Sequence, residues 1–240
     1  MTPFAVIALG FFLGMRHATD ADHVIAVSTI VTRERSVRAA MLVGALWGIG
    51  HTATIVAVGG AIVLFGLVIP PRVGLSLEFS VAMMLIVLGA MNLTGVMKKI
   101  DEAARAMRTS VVPEADPAQQ TWQAYVELCF LRRFRPLMVG VVHGLAGSAA
   151  VALLVLTTIR DADYAVFYLA IFGVGTVAGM MLLTTAMAVP IAVASRKLAS
   201  FDVRLAQATG LASIAFGLFL VYRIGFVDGL FLGHPNWTPR

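Results

Sequence analysis

The 240-residue chain is poor in charged residues and in cysteine. Only 13% of its residues are charged, whereas 59% are hydrophobic, and a soluble domain has about one quarter charged residues. The apolar residues form long runs, which predicts a polytopic membrane protein. The single cysteine, Cys129, excludes an internal disulfide and a cysteine-based metal site. We attribute the net charge of +5 to cationic loops and expect no nucleic-acid partner.

Several sequence motifs are also absent. No GxxxxGK[ST] element occurs, so hydrolysis of ATP through a P-loop is excluded. The HEXXH motif is absent too, and no Glu or Ser is placed as a base or nucleophile beside the polar cluster described below. The first apolar run lacks the basic start of a signal peptide, so we expect it to remain in the mature protein. We predict no enzyme and no resident cofactor.

The hydropathy pattern predicts an all-α protein with six transmembrane spans, at about 3–31, 38–69, 76–97, 136–159, 164–194 and 204–224. The loops after spans 1, 3 and 5 carry thirteen Lys and Arg residues, and the opposite side carries four. The positive-inside rule then places both termini outside the cytoplasm of a multi-pass protein of the inner (plasma) membrane.

Two short sequence matches indicate an internal repeat. Gly14-Met-Arg-His17 resembles Gly140-Val-Val-His143, and Ala45 to Gly50 resembles Ala170 to Gly175, at offsets of 126 and 125 residues. Three spans per copy imply a 3+3 inverted repeat. We therefore divide the chain into repeat 1 (1–97), a cytoplasmic loop with an interfacial helix (98–135), repeat 2 (136–225) and a tail (226–240).

A polar cluster interrupts the first span, where Arg16 to His23 read Arg-His-Ala-Thr-Asp-Ala-Asp-His. Ionisable groups at membrane depth are costly and usually face a cavity with a function. On an unbroken helix His17, Asp22 and His23 lie at about 0°, 140° and 240°, so they cannot converge on one ion. We therefore expect the helix to break here. Asp20 is either a ligand or the partner of Arg16.

Two further histidines lie inside predicted spans: His51 in span 2 and His143 in span 4. Imidazoles and carboxylates suit divalent first-row metals, and the lack of cysteine ligands argues against Cu(I). We predict a metal site that combines polar residues of spans 1 and 2: His17, Asp22, His23 and His51. Asp20 and His143 are secondary candidates for this site. The tail residue His234 receives no role.

The residues His17-Ala-Thr-Asp20-Ala-Asp22-His23 match the HX4DH signature of the nickel/cobalt transporter (NiCoT, NicO) family, and Gly50-His51-Thr-Ala-Thr54 resembles its second motif. Classical members have eight spans and a later acidic motif, for which His143-Gly-Leu-Ala-Gly-Ser-Ala-Ala stands here. The chain is therefore more similar to the short six-span branch named after the urease accessory membrane protein. The resemblance implies that Ni²⁺ or Co²⁺ is transported.

The sequence thus predicts a secondary permease for Ni²⁺, or for Co²⁺, that moves the ion through a midplane His/Asp site, with uptake favoured. The family's efflux branch typically has a long His-rich loop, and residues 98–135 contain no histidine. The alternatives are a nickel or cobalt efflux permease, a membrane accessory protein that delivers nickel to urease or hydrogenase maturation proteins, and an intramembrane metalloenzyme. The expected partners are the divalent ion and the lipid bilayer. If the chain is an accessory protein, the maturation proteins of urease or hydrogenase are partners too.

Overall fold

The computed structural model describes residues 3–32, 34, 36–96, 134–146, 159, 161–197 and 201–237. These residues are helical or lie in connecting segments, and none of them forms a strand. A π-helical turn, Ile55–Gly59, joins the helix that ends at Thr54 to the one that begins at Gly60. A second, Arg223–Val227, follows the helix that ends at Tyr222. The helices are α1 (Pro3–His17), α2 (Ala21–Val31), α3 (Val37–Thr54), α4 (Gly60–Phe65), α5 (Pro71–Leu93), α6 (Phe134–Ala146), α7 (Ala162–Lys197) and α8 (Phe201–Tyr222).

Within the described residues, four helical segments are long and apolar enough to cross a bilayer: Val37–Phe65, Pro71–Leu93, Asp163–Ala194 and Val203–Val227. They coincide with predicted spans 2, 3, 5 and 6. Predicted span 4 begins with α6 but continues through 147–158, which lies outside the described residues, so the count of six stays a prediction. The interfacial helix predicted in loop 98–135 and Cys129 also lie outside them.

The predicted break in the first span is confirmed. Helix α1 ends at His17, and α2 begins at Ala21. Between them Asp20 has an extended backbone, with φ −61° and ψ 150°. The hydroxyl of Thr19 donates to the carbonyl of Arg16 over 2.6 Å, which satisfies one of the acceptors that a helix end leaves open. Residues 18–20 therefore redirect the chain, and α2 starts with a new orientation of its side chains.

Helix α1 packs closely against α7, and the two run parallel. A Cβ atom added at Gly14 would overlap the backbone carbonyl of Phe172, and one added at Gly175 would overlap that of Phe11. Each contact therefore depends on a glycine, since small residues let membrane helices approach closely.

Helix α6 meets α3 in the same way. A Cβ atom at Gly140 would overlap the backbone carbonyl of Trp47, and one at Gly50 would overlap that of Leu137. This close approach brings α6 alongside the segment of α3 that ends in His51.

Helix α3 also contacts α7, and these two helices run antiparallel. Gly48 faces the backbone of Val177, and the hydroxyl of Thr52 donates to the carbonyl of Gly173 over 3.0 Å. Helices α1, α3, α6 and α7 therefore form one closely packed bundle. His17, at the end of α1, lies beside His51 of α3 in this bundle.

The remaining long helices, α5 and α8, pack against each other. Gly89 and Gly210 approach at their contact, and Ser213 Oγ donates to the carbonyl of Leu85 over 2.7 Å. Helix α2 contacts α5, α7 and α8. It therefore links this helix pair to the bundle.

Candidate metal centre

Four imidazoles from four helices come together beside the break. His17 is the last residue of α1, and the others belong to α2, α3 and α6. His23 is central, with ring centroids 4.9 Å from His17, 5.1 Å from His51 and 4.5 Å from His143. His23, His51 and His143 are buried, whereas the side chain of His17 is 17% exposed. Three of the four imidazoles are thus buried, and the cluster is accessible from outside at His17.

The first subset of the cluster contains His17, His23 and His51. One nitrogen from each lies within 4.8 Å of the others. Nε2 of His17 and Nε2 of His51 are 3.1 Å apart. The structure therefore brings together three of the four residues that the sequence predicts as principal ligands, although they come from three helices.

The second subset contains Asp22, His23 and His143. The two oxygens of Asp22 divide between the histidines: Oδ2 lies 2.9 Å from Nε2 of His143, and Oδ1 lies 3.2 Å from Nδ1 of His23. The backbone N–H of His23 also donates to Oδ1 over 3.0 Å. Ligand atoms of this subset again lie within 4.8 Å of one another. Asp22 thus joins the secondary candidate His143 to the cluster.

Asp20 contacts His17 rather than Arg16, and its role as a ligand stays a prediction. Its Oδ2 lies 2.9 Å from Nδ1 of His17, and its side chain is 53% exposed. Within the described residues Asp20 forms no ion pair with Arg16, which is exposed. The tail residue His234 is exposed in the segment after α8 and takes no part in the cluster.

Several buried nitrogens of this region have no hydrogen-bond partner among the described residues. They are Nε2 of His23, Nδ1 of His51, Nδ1 of His143 and Nε1 of Trp47. A buried polar atom without a partner costs about 1–3 kcal/mol. Three such imidazole nitrogens within one cluster are typical of a site that gains its missing interactions from a bound ion.

Sequence reasoning missed Trp47. Its indole ring lies 5.5 Å from the ring of His143 and 6.3 Å from that of His23, measured between centroids. The available signal was spacing, because Trp47 precedes His51 by one helical turn and so shares its face. Trp47 therefore forms an apolar wall of the cluster.

Comparison with known proteins identifies the family. The profile of the NicO family, described as "High-affinity nickel-transport protein", matches residues 4–208. The chain belongs to the NicO family. A relative, "Urease accessory protein UreH" from Bacillus sp. (strain TB-90), is 34% identical over 227 residues, which cover 95% of each chain. No solved structure matches.

Membership of this family agrees with the apolar helices, and together they make the chain a multi-pass membrane protein of a transport family rather than an enzyme. The HX4DH signature lies at the α1–α2 break, and His51 of the second motif lies beside it. The two motifs that carry the resemblance are therefore neighbours in space.

Proposed function

We propose that this NicO-family protein is a secondary permease that carries Ni²⁺ into the cell, with Co²⁺ as a second cargo. The ion site comprises His17, Asp22, His23 and His51. The observation that carries the proposal is the convergence of these residues at the bundle of apolar helices, where buried imidazole nitrogens have no hydrogen-bond partner among the described residues. Imidazole and carboxylate groups inside a membrane protein mark an ion pathway.

The spacing of the imidazoles supports a common ion. Bonds from a first-row divalent metal to imidazole are about 2.0–2.1 Å long. Two nitrogens 3.1 Å apart, as in His17 and His51, would then subtend about 95–102° at one ion. This range lies between the right angles of tetragonal coordination and the tetrahedral angle, so the pair fits a single divalent first-row ion.

The helix contacts support the 3+3 inverted repeat. Gly14 and Gly140 differ by 126 positions, and Gly50 and Gly175 differ by 125. Under these offsets the two glycine contacts between α1 and α7 correspond to the two between α6 and α3. The antiparallel contact between α3 and α7 corresponds to itself. Repeats of this kind place the substrate near the midplane, where the copies meet, and the histidine cluster lies between these helices.

The membrane potential supports uptake as the direction of transport. Both termini lie outside the cytoplasm, because the loops that follow spans 1, 3 and 5 carry most of the Lys and Arg residues. An inside-negative potential favours entry of a divalent cation by roughly 4.6 kcal/mol per 100 mV. Uptake therefore needs no hydrolysis of ATP.

The test is the flux of ⁶³Ni²⁺ into proteoliposomes with an imposed inside-negative potential. We expect accumulation that the potential stimulates and that His17→Ala abolishes, with competition by Co²⁺. The matched control is His234→Ala, which removes an exposed histidine outside the cluster. Correctly inserted protein with flux no higher than empty liposomes would refute the permease. Transport of nickel only outward would make it an exporter.

A second candidate function is favoured by the relative named urease accessory protein, which matches over 95% of both chains. A membrane accessory protein would deliver nickel to maturation proteins of urease or hydrogenase through loop 98–135. Deletion of residues 101–120 separates the two functions. A permease keeps most of its flux without this segment, whereas a delivery protein loses urease activation in cells.

A further inference from the structure

The two carboxylates of the HX4DH segment contact the imidazoles in a way that assigns them a role. Asp22 lies between Nδ1 of His23 and Nε2 of His143, and Asp20 lies against Nδ1 of His17. An ionised carboxylate accepts hydrogen bonds and donates none. Each nitrogen that faces one of these carboxylates must therefore carry the hydrogen.

This constraint fixes the position of the free lone pairs. His17 and His23 hold their hydrogens on Nδ1, so each has its lone pair on Nε2. His143 holds its hydrogen on Nε2, so its lone pair is on Nδ1. The lone-pair nitrogens of His23 and His143 are two of the buried atoms without a hydrogen-bond partner among the described residues. The atoms that a metal needs are thus the ones that the carboxylates leave available.

We propose that Asp22 and Asp20 are positioning residues, which orient His23, His143 and His17 through their N–H groups, and that the ion is bound by imidazole nitrogens of His17, His23 and His51. This inference rests on the proposed nickel site and divides its residues into ligands and orienting groups. His51 contacts no carboxylate among the described residues. Its Nε2 lies 3.1 Å from the bare Nε2 of His17 and carries the hydrogen while no ion is bound. Carboxylates that accept from a metal-bound imidazole are a recurrent second layer of such sites, and their loss typically weakens binding 10–100-fold.

The geometry of Asp22 supports this role over direct ligation. Both of its oxygens are engaged, Oδ2 by His143, and Oδ1 by the ring and the backbone N–H of His23. These three contacts use three of the about four lone-pair positions of the carboxylate. Direct ligation through Oδ1 would therefore displace an N–H group of His23 and leave a buried donor without its acceptor, which is costly.

The first test uses the wild-type protein free of metal. Solid-state NMR of ¹⁵N-histidine-labelled protein in liposomes reports which ring nitrogen carries hydrogen, and single His→Gln variants assign the signals. We expect the Nδ1–H form for His17 and His23 and the Nε2–H form for His143. His234, which is exposed, serves as the internal control. A bare Nδ1 on His23 would overturn the assignment.

The second test uses Co²⁺ as the probe on the purified full-length protein. The visible d–d spectrum of Co²⁺ depends on the atoms that bind it. In Asp22→Asn the amide oxygen can accept from one histidine, but the amide N–H group faces the N–H of the other. We expect the affinity for Co²⁺ to fall 10–100-fold. The spectrum at saturation should stay that of wild type. His51→Gln, which removes a ligand, should change the spectrum.

A changed spectrum in Asp22→Asn, comparable to that of His51→Gln, would make Asp22 a ligand and refute the inference. Asp22→Glu restores a carboxylate, and its partial recovery of affinity separates orientation from general damage to the fold. Binding and flux are measured separately. A protein with the expected spectra but no ⁶³Ni²⁺ flux would refute the permease and leave the inference intact, whereas a wild type that binds no Co²⁺ would refute both.

Discussion

The histidine cluster and the α5–α8 contact both contain buried polar side chains on apolar helices, but the hydrogen bonding of these groups differs between the two regions. Between α5 and α8, Ser213 donates to the carbonyl of Leu85, and Asn92 donates to the carbonyl of Ala206 over 3.1 Å and to Thr209 Oγ1 over 3.2 Å. In the cluster, buried nitrogens of His23, His51 and His143 have no such partner in the described part of the chain.

The difference separates two uses of polarity inside a membrane. Satisfied hydroxyl and amide groups join helices, and each such bond contributes about 0.6 kcal/mol on average. Unsatisfied imidazoles are a cost to the fold, which a bound cation would offset. The comparison therefore predicts that substitutions in the histidine cluster reduce transport, whereas substitutions at the α5–α8 contact reduce stability.

The largest effect is expected for His23→Gln. Glutamine keeps a donor for Asp22 but removes the nitrogen at the centre of the cluster. We expect ⁶³Ni²⁺ uptake to fall by more than about 100-fold, beyond the 10–100-fold that loss of an orienting partner costs. The thermal unfolding midpoint in detergent should change little, because Nε2 of His23 contributes no hydrogen bond within the described residues.

The control for this substitution is His234→Gln, which changes an exposed histidine outside the cluster and should keep wild-type uptake. Uptake by His23→Gln within a few-fold of wild type would contradict the distinction between the two regions, since the central unsatisfied imidazole would then be dispensable.

A second substitution tests the packing that brings the cluster together. A Cβ at Gly14 would overlap the carbonyl of Phe172, and overpacking of this kind costs about 1–3 kcal/mol. We expect Gly14→Ala to lower the unfolding midpoint and to reduce uptake in parallel, because α1 carries His17 at its end.

The matched control is Gly60→Ala. Among the described residues no atom lies within 4 Å of a Cβ placed there, so this change should leave the midpoint unaltered or raise it, since alanine favours a helix by about 0.5–1 kcal/mol over glycine. Equal losses in both alanine variants would show that the α1–α7 contact is not the cause.

Much of the site could be predicted from the sequence because its signals are local. His17, Asp22 and His23 are too close together for one regular helix to converge them, which predicted the break at residues 18–20. His51 stood out as an ionisable group in an apolar span. The helical class followed from the same apolar runs, and four of the predicted spans match long helices.

The contacts of His143 could not be predicted in this way. It is separated from Asp22 by 121 residues, and only packing of α6 on α3 at Gly140 and Gly50 brings them together. Sequence spacing likewise indicated Arg16 as a partner for Asp20, because residues four apart are neighbours on a helix. The backbone of Asp20 is extended, so the helical spacing on which that pairing depends ends before this residue. Its carboxylate contacts His17 instead.

The smallest effect, and the sharpest counterpart to His23→Gln, is expected for Asn92→Leu. The substitution removes the donor to Ala206 and Thr209 and keeps a side chain of similar size. We expect the protein to lose about 1 kcal/mol of stability, measured as a lower unfolding midpoint. Uptake should stay within about twofold of wild type at temperatures below that midpoint, because no described residue of α5 or α8 belongs to the histidine cluster. If uptake fell as far as in His23→Gln while the folded fraction was unchanged, α5 and α8 would have to act on the site, and α2, which contacts both of them, would be the connection to examine.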